Sequence, residues 1–160
     1  MNEKINKKFI FVILIFVLLV LASALIIEYK FDQEPCNLCL YQRIPYFLSI
    51  LLIAKIFFTE HYQRLTLLIL SLIFIISSLL GFYHFGIEQG FFSEPASCIT
   101  ENSSNTLTKE EILKQLSQKN ISCKGVSFKI FGFSLAAINT IFSFILSVIF
   151  IKMFKKYGKN

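Results

Sequence analysis

Phe9-Ile10-Phe11-Val12-Ile13-Leu14-Ile15-Phe16-Val17-Leu18-Leu19-Val20-Leu21-Ala22-Ser23-Ala24-Leu25-Ile26-Ile27 runs for 19 residues without a charged side chain. As a helix rising ~1.5 Å per residue, it comes close to the ~30 Å hydrocarbon core of a bilayer. Two further stretches behave alike: Leu65–Tyr83, of 19 residues, and Ile130–Ile151, of 22. A soluble chain of 160 residues has too small an interior to hide three such helices. The reading is therefore an all-α membrane protein. The fourth span is weaker. Ile44–Phe58 is short and carries Lys55 near one end, where a long side chain can snorkel to the interface. This helix can also start earlier, around Asn37 as its cap, which would enclose Pro45 and kink it. The expectation is a four-transmembrane-helix bundle forming one domain over 1–160, with spans at 9–27, 44–58, 65–83 and 130–151.

The remaining composition agrees. Apolar residues make up 55% of the chain and charged ones 16%, against ~25% charged in ordinary soluble domains. That excludes a disordered chain and an ordinary soluble domain. The net charge of +6 is not evenly placed. Lys4, Lys7, Lys8, Lys55, Arg64, Lys152, Lys155, Lys156 and Lys159 flank one end of the spans, with only Glu3 and Glu60 among them. By the positive-inside tendency, both termini face the cytoplasm, while loops 28–43 and 84–129 face out. The basic balance thus reports topology, and no basic patch points to nucleic acid. A signal peptide cleaved after Ala22-Ser23-Ala24 is the competing reading of the first span. The apolar run continues past that point through Ile27, which favours an uncleaved span.

All four cysteines, Cys36, Cys39, Cys98 and Cys123, fall in the two outward loops. On that side of a membrane thiols tend to be oxidised. Four cysteines allow three pairings, of which the sequence-local one joins Cys36 to Cys39 and Cys98 to Cys123. Cys36-Asn37-Leu38-Cys39 is a CxxC. Zinc would call for a second close pair or nearby histidines, so no metal is expected. As a structural staple so short a loop restrains little chain entropy. A redox role fits better. With a helix starting at Asn37, Cys39 lies in its first turn, where the helix N-terminus favours a thiolate. Arg43, four residues on, shares that face and would lower the thiol pKa further. In the longer loop, His84 and Glu88 continue the third helix by one turn. Thr108-Lys109-Glu110-Glu111 reads as a capping box opening a short amphipathic helix.

Four segments in order resemble the DsbB family of bacterial disulfide-forming membrane proteins. Pro35-Cys36-Asn37-Leu38-Cys39-Leu40-Tyr41-Gln42-Arg43 is similar to its PCxLCxYxR, and Tyr83-His84-Phe85-Gly86-Ile87-Glu88 to its YHxGxE. Pro95-Ala96-Ser97-Cys98 resembles the region of its third cysteine. Phe131-Gly132-Phe133-Ser134-Leu135-Ala136-Ala137-Ile138-Asn139 resembles the start of its last helix. The resemblance implies an inner-membrane enzyme that reoxidises a periplasmic thioredoxin-fold partner similar to DsbA and passes the electrons to membrane quinone, either ubiquinone or menaquinone. It further implies that the partner attacks a Cys98–Cys123 disulfide and that electrons pass to Cys36 and Cys39, through a transient Cys36–Cys123 bridge. Cys39 then faces the quinone, with Arg43, His84 and Glu88 as quinone-side residues. Two other readings are a quinone reductase like vitamin-K-epoxide reductase, disfavoured by the YHxGxE match, and a non-catalytic scaffold with two structural disulfides.

Overall fold

The computed structural model describes residues 6–31, 35–59, 62–95, 123–124, 129–130 and 132–157. Its framework is four long helices: α1 Lys7–Lys30, α2 Asn37–Phe58, α3 Gln63–Glu88 and α4 Leu135–Lys156. Each is long and apolar enough to cross a membrane. The four-span, all-α reading therefore holds. The short helix expected from Thr108 lies outside the described residues.

Local chemistry explains where the helices start. The Asn6 side chain accepts from the N–H groups of Lys8 and Phe9 and caps α1. The second helix does begin at Asn37, but Asn37 is not its cap. The Cys36 sulfur takes that place and accepts from the Cys39 N–H. Pro45 lies inside the helix, as expected. The last helix begins at Leu135 rather than Ile130. Lys129–Ile130 (β1) and Phe133–Ser134 (β2) pair as a two-stranded antiparallel hairpin, with Lys129 opposite Ser134. Gly132 turns it at φ +85°, a left-handed conformation that suits glycine. Ser134 then caps α4 by accepting from the Ala137 N–H. The apolar run misled because hydropathy does not distinguish a short hairpin from the first turn of a helix.

Ile10, Ile13, Val17 and Leu21 from α1, Tyr46, Ile53 and Ile56 from α2, Leu67, Leu70 and Phe74 from α3, and Leu146, Phe150 and Met153 from α4 form the main core. Phe74 stacks on Phe150 with ring centroids 5.7 Å apart and meets Tyr46 edge-on at 5.7 Å. Leu19, Leu51, Leu79, Ile76 and Phe144 point outward instead. So much apolar side chain on an outer surface suits lipid and not water.

The closest seam joins α3 to α4. A Cβ on Gly81 would stand 2.7 Å from the Thr140 Oγ1 and 3.2 Å from the Thr140 backbone nitrogen. Glycine there lets two backbones approach, as small residues do between membrane helices. Ser77 and Ser143 hydrogen-bond across the same seam at 2.9 Å, and Ser78 donates to the Thr140 carbonyl. The start of α1 and the end of α4 meet at one end of the bundle, where the Asn6 N–H donates to the Tyr157 hydroxyl at 3.2 Å. Arg64 lies over the Phe154 ring at the same end. Substituting Gly81→Val should force α3 and α4 apart at a cost of about 1–3 kcal/mol. Denaturant titration in detergent micelles would show it, and an unchanged midpoint would refute the close-seam account.

Candidate functional site

At the opposite end of the bundle, the start of α2 meets the last turn of α3. The first turn of α2 carries the CxxC. Its Cys36 and Cys39 hold free thiols, their sulfurs 3.0 Å apart. Cys36 is buried, whereas Cys39 is partly open. His84 is almost fully buried, and its Nε2 lies 3.6 Å from the Cys36 sulfur. Glu88, one turn further along α3, has Oε1 3.8 Å from the same nitrogen. The sequence placed His84 and Glu88 on a turn beyond the membrane face. The helix does run on to Glu88, and this face of it packs onto the CxxC.

Cys123 is buried and disulfide-bonded. It packs in one apolar cluster with Cys36, Leu38 and Ile87, against which Cys39, Leu80 and Tyr83 also rest. The Lys124 N–H donates to the Glu94 carboxylate at 2.7 Å, which ties the turn carrying Cys123 to the chain just after α3. Three of the four cysteines thus gather at one end of the bundle. Cys98 lies outside the described residues.

Two expectations about charge are corrected. Arg43 was expected over Cys39, but its guanidinium donates to Glu28 of α1 at 2.5 Å. Both side chains are partly buried, where an ion pair offsets the cost of removing an arginine from water. The sulfur that gathers donors is Cys36 and not Cys39. The Cys39 N–H points at it from 3.4 Å, the Cys39 thiol touches it, and His84 faces it. The hydrogen bond from the Cys39 side chain, with a second from His84, brings the Cys36 thiol from 9.0 to about 4, against burial, which pushes it up.

A second set of residues received no role from the sequence. Gln42 is buried, with Nε2 2.9 Å from the His84 Nδ1, and its Oε1 accepts from the Asn139 Nδ2 at 2.9 Å. The Tyr46 hydroxyl donates to the Asn139 Oδ1 at 2.6 Å and contacts Ser143 at 3.2 Å. A continuous hydrogen-bonded chain therefore runs from Cys36 through α3, α2 and α4 into the bundle. The available signal was spacing. Gln42 and Tyr46, and Asn139 and Ser143, are polar pairs four apart in apolar helices, and such residues face the bundle interior. Stranding one of these groups would cost about 1–3 kcal/mol.

The sulfurs of Cys36 and Cys39 and a His84 ring nitrogen all lie within 4.8 Å of one another, a spacing compatible with a metal ion. Three donors are one short of a closed tetrahedral zinc site, and a Cys36–Cys39 disulfide would remove two. What the arrangement supports directly is thiol chemistry: a stabilised thiolate, a second thiol in bonding reach, and a third sulfur packed alongside.

The family model "Disulfide bond formation protein DsbB" matches residues 6–153. The chain belongs to the DsbB family. It is also 28% identical over 145 residues to an uncharacterised protein, RP370, of Rickettsia prowazekii (strain Madrid E), a match covering 89% of this chain and 84% of that one. As a family member with four apolar helices, it is a multi-pass membrane protein with a role in disulfide bond formation.

Because its lowered value makes Cys36 a thiolate above pH of about 4, alkylation of Cys36 in the reduced protein should stay near its plateau through neutral pH and fall only as that value is approached. The same sign holds for stability: the contribution is complete above the ordinary thiol value of 9.0 and is lost as pH falls toward about 4. Site-resolved mass spectrometry of the alkylated protein reads the profile. His84→Ala should move the midpoint upward, and a wild-type midpoint near the ordinary thiol value would contradict the account.

Proposed function

We propose that this protein is a quinone-linked disulfide oxidase of a bacterial inner membrane, which reoxidises a periplasmic thioredoxin-fold thiol oxidant similar to DsbA. The observation that carries the reading is the shared cluster of Cys36, Cys39 and disulfide-bonded Cys123 at one end of a membrane bundle. In this reading Cys98 is the partner of Cys123. The basic residues at the end where Asn6 and Tyr157 meet support cytoplasmic termini, and in this reading the cysteines face the periplasm.

The chemistry runs in balanced exchanges. A thiolate of the reduced partner attacks Cys98, forms a mixed disulfide and releases the Cys123 thiolate. The partner's second thiolate then resolves the mixed disulfide, and the partner leaves oxidised. Cys98 and Cys123 now hold two electrons as a dithiol. Cys123 attacks an oxidised Cys36–Cys39 pair at Cys36, which makes a Cys36–Cys123 bridge and releases Cys39. Cys98 closes on Cys123 and frees Cys36. The result is a restored Cys98–Cys123 disulfide and a reduced CxxC.

Reoxidation of the CxxC needs a two-electron acceptor, and the surroundings of Cys39 fit a lipid-soluble one. Cys39 is partly open, and Leu40, Tyr41 and Ile44 beside it project outward from the bundle. A bound ubiquinone or menaquinone would supply capacity for two electrons and two protons. Cys39 would be the sulfur presented to it and Arg43 the nearby cation, with His84 and Glu88 on the inner side of the dithiol. Overall, one partner dithiol and one quinone become one partner disulfide and one quinol.

Purified protein in lipid, given quinone, should oxidise a reduced thioredoxin-fold partner. Cys39→Ser should abolish quinol formation, and Cys98→Ser should block transfer from the partner while leaving the CxxC reducible by a small dithiol. Normal turnover in either variant would sink the relay.

A further inference from the structure

The buried chain behind Cys36 has a direction, and one short contact sets it. The Tyr46 hydroxyl stands 2.6 Å from the Asn139 side chain. That distance is ordinary for an O–H donating to an oxygen but shorter than the ~2.7–3.2 Å range of an N–H donating to oxygen. The atom facing Tyr46 is therefore the Asn139 carbonyl oxygen, which also lies 3.4 Å from the Ser143 hydroxyl. The Asn139 amide nitrogen must then face Gln42, where it meets Oε1 at 2.9 Å. That leaves the Gln42 amide nitrogen, which has only hydrogens to give, aimed at the His84 Nδ1 at 2.9 Å. A ring nitrogen that accepts carries no proton, so the neutral imidazole bears its proton on Nε2, the atom 3.6 Å from the Cys36 sulfur.

We propose that Gln42 and Asn139 are positioning residues, oriented by the Tyr46 hydroxyl, which hold His84 in the Nε2–H tautomer so that it presents a hydrogen-bond donor to Cys36. The opposite polarity would point a bare Nε2 lone pair at the sulfur and favour the thiol over the thiolate. The orientation of one amide in α4 thus decides whether the CxxC is presented as a nucleophile. The close seam at Gly81 contributes by seating Asn139, whose Nδ2 lies 3.1 Å from where a Cβ would stand. The arrangement draws on all three helices around the site, and the Cys39 thiol and the Glu88 carboxylate are the other titratable groups near it.

The importance of this device for turnover rests on the oxidase reading, but the tautomer itself does not. The test is histidine-labelled nitrogen NMR of the full-length reduced protein in micelles, with a His61→Asn variant to assign the two histidines. Wild-type His84 should show a protonated Nε2 and a bare Nδ1. Tyr46→Phe combined with Ser143→Ala keeps the packing but removes both donors to the Asn139 oxygen, and should add a population protonated at Nδ1. Gln42→Met should lose the fixed tautomer and move the midpoint of the Cys36 alkylation profile upward, slowing alkylation by about tenfold only below the wild-type midpoint, one pKa unit's worth of thiolate. A wild-type His84 protonated at Nδ1, or an unchanged spectrum in both variants, would overturn the proposal. Failed quinone turnover with the expected spectra would count against the oxidase reading alone.

Discussion

The contact between Gln42 and His84 joins the two demands made on this bundle. Inside a membrane a buried amide or imidazole has no water to fall back on, so each must find its partners within the protein. Gln42 satisfies one side of His84 and, through Asn139, recruits α4. Burying His84 in turn brings the last turn of α3 against the start of α2, where Cys36 lies. Without that pairing, the helix ends would have reason to separate and the sulfurs to drift apart. The apolar core between Ile10 and Met153 holds the helices together, but the polar chain determines how their ends are registered.

The membrane fold was legible because its signal is coarse. Spans such as Phe9–Ile27 and Leu65–Tyr83 needed only length and the absence of charge. Helix starts were less legible, because they depend on single side chains. The Cys36 sulfur displaced Asn37 as the α2 cap, and the hairpin ending at Ser134 consumed residues that hydropathy assigned to α4. The CxxC and His84 could be singled out by type and spacing. What these signals left open was which way a helix face turns and which neighbour a long side chain chooses. Arg43 follows Cys39 by four residues, yet its guanidinium reaches Glu28 on another helix. Gln42 and Asn139 stood within recognisable motifs without a visible task, since their task depends on helices far apart in sequence coming together.

The two ends of the bundle divide their work. One end gathers Asn6, Arg64, Phe154 and Tyr157 and joins the start of α1 to the end of α4. The other gathers the sulfurs, the imidazole and the carboxylates. Between them the Phe74–Phe150 stack and the serine contacts of the α3–α4 seam form a dense middle.

The pairing of Arg43 with Glu28 has an electrostatic consequence. At rest the site offers a dipole at its outer edge and not a bare cation. Any anionic group that draws on Arg43 must first compete with a carboxylate already in place, so the attraction it feels is a difference between two similar interactions. The strength of any such attraction is therefore set by how much better placed the incoming charge is than that of Glu28.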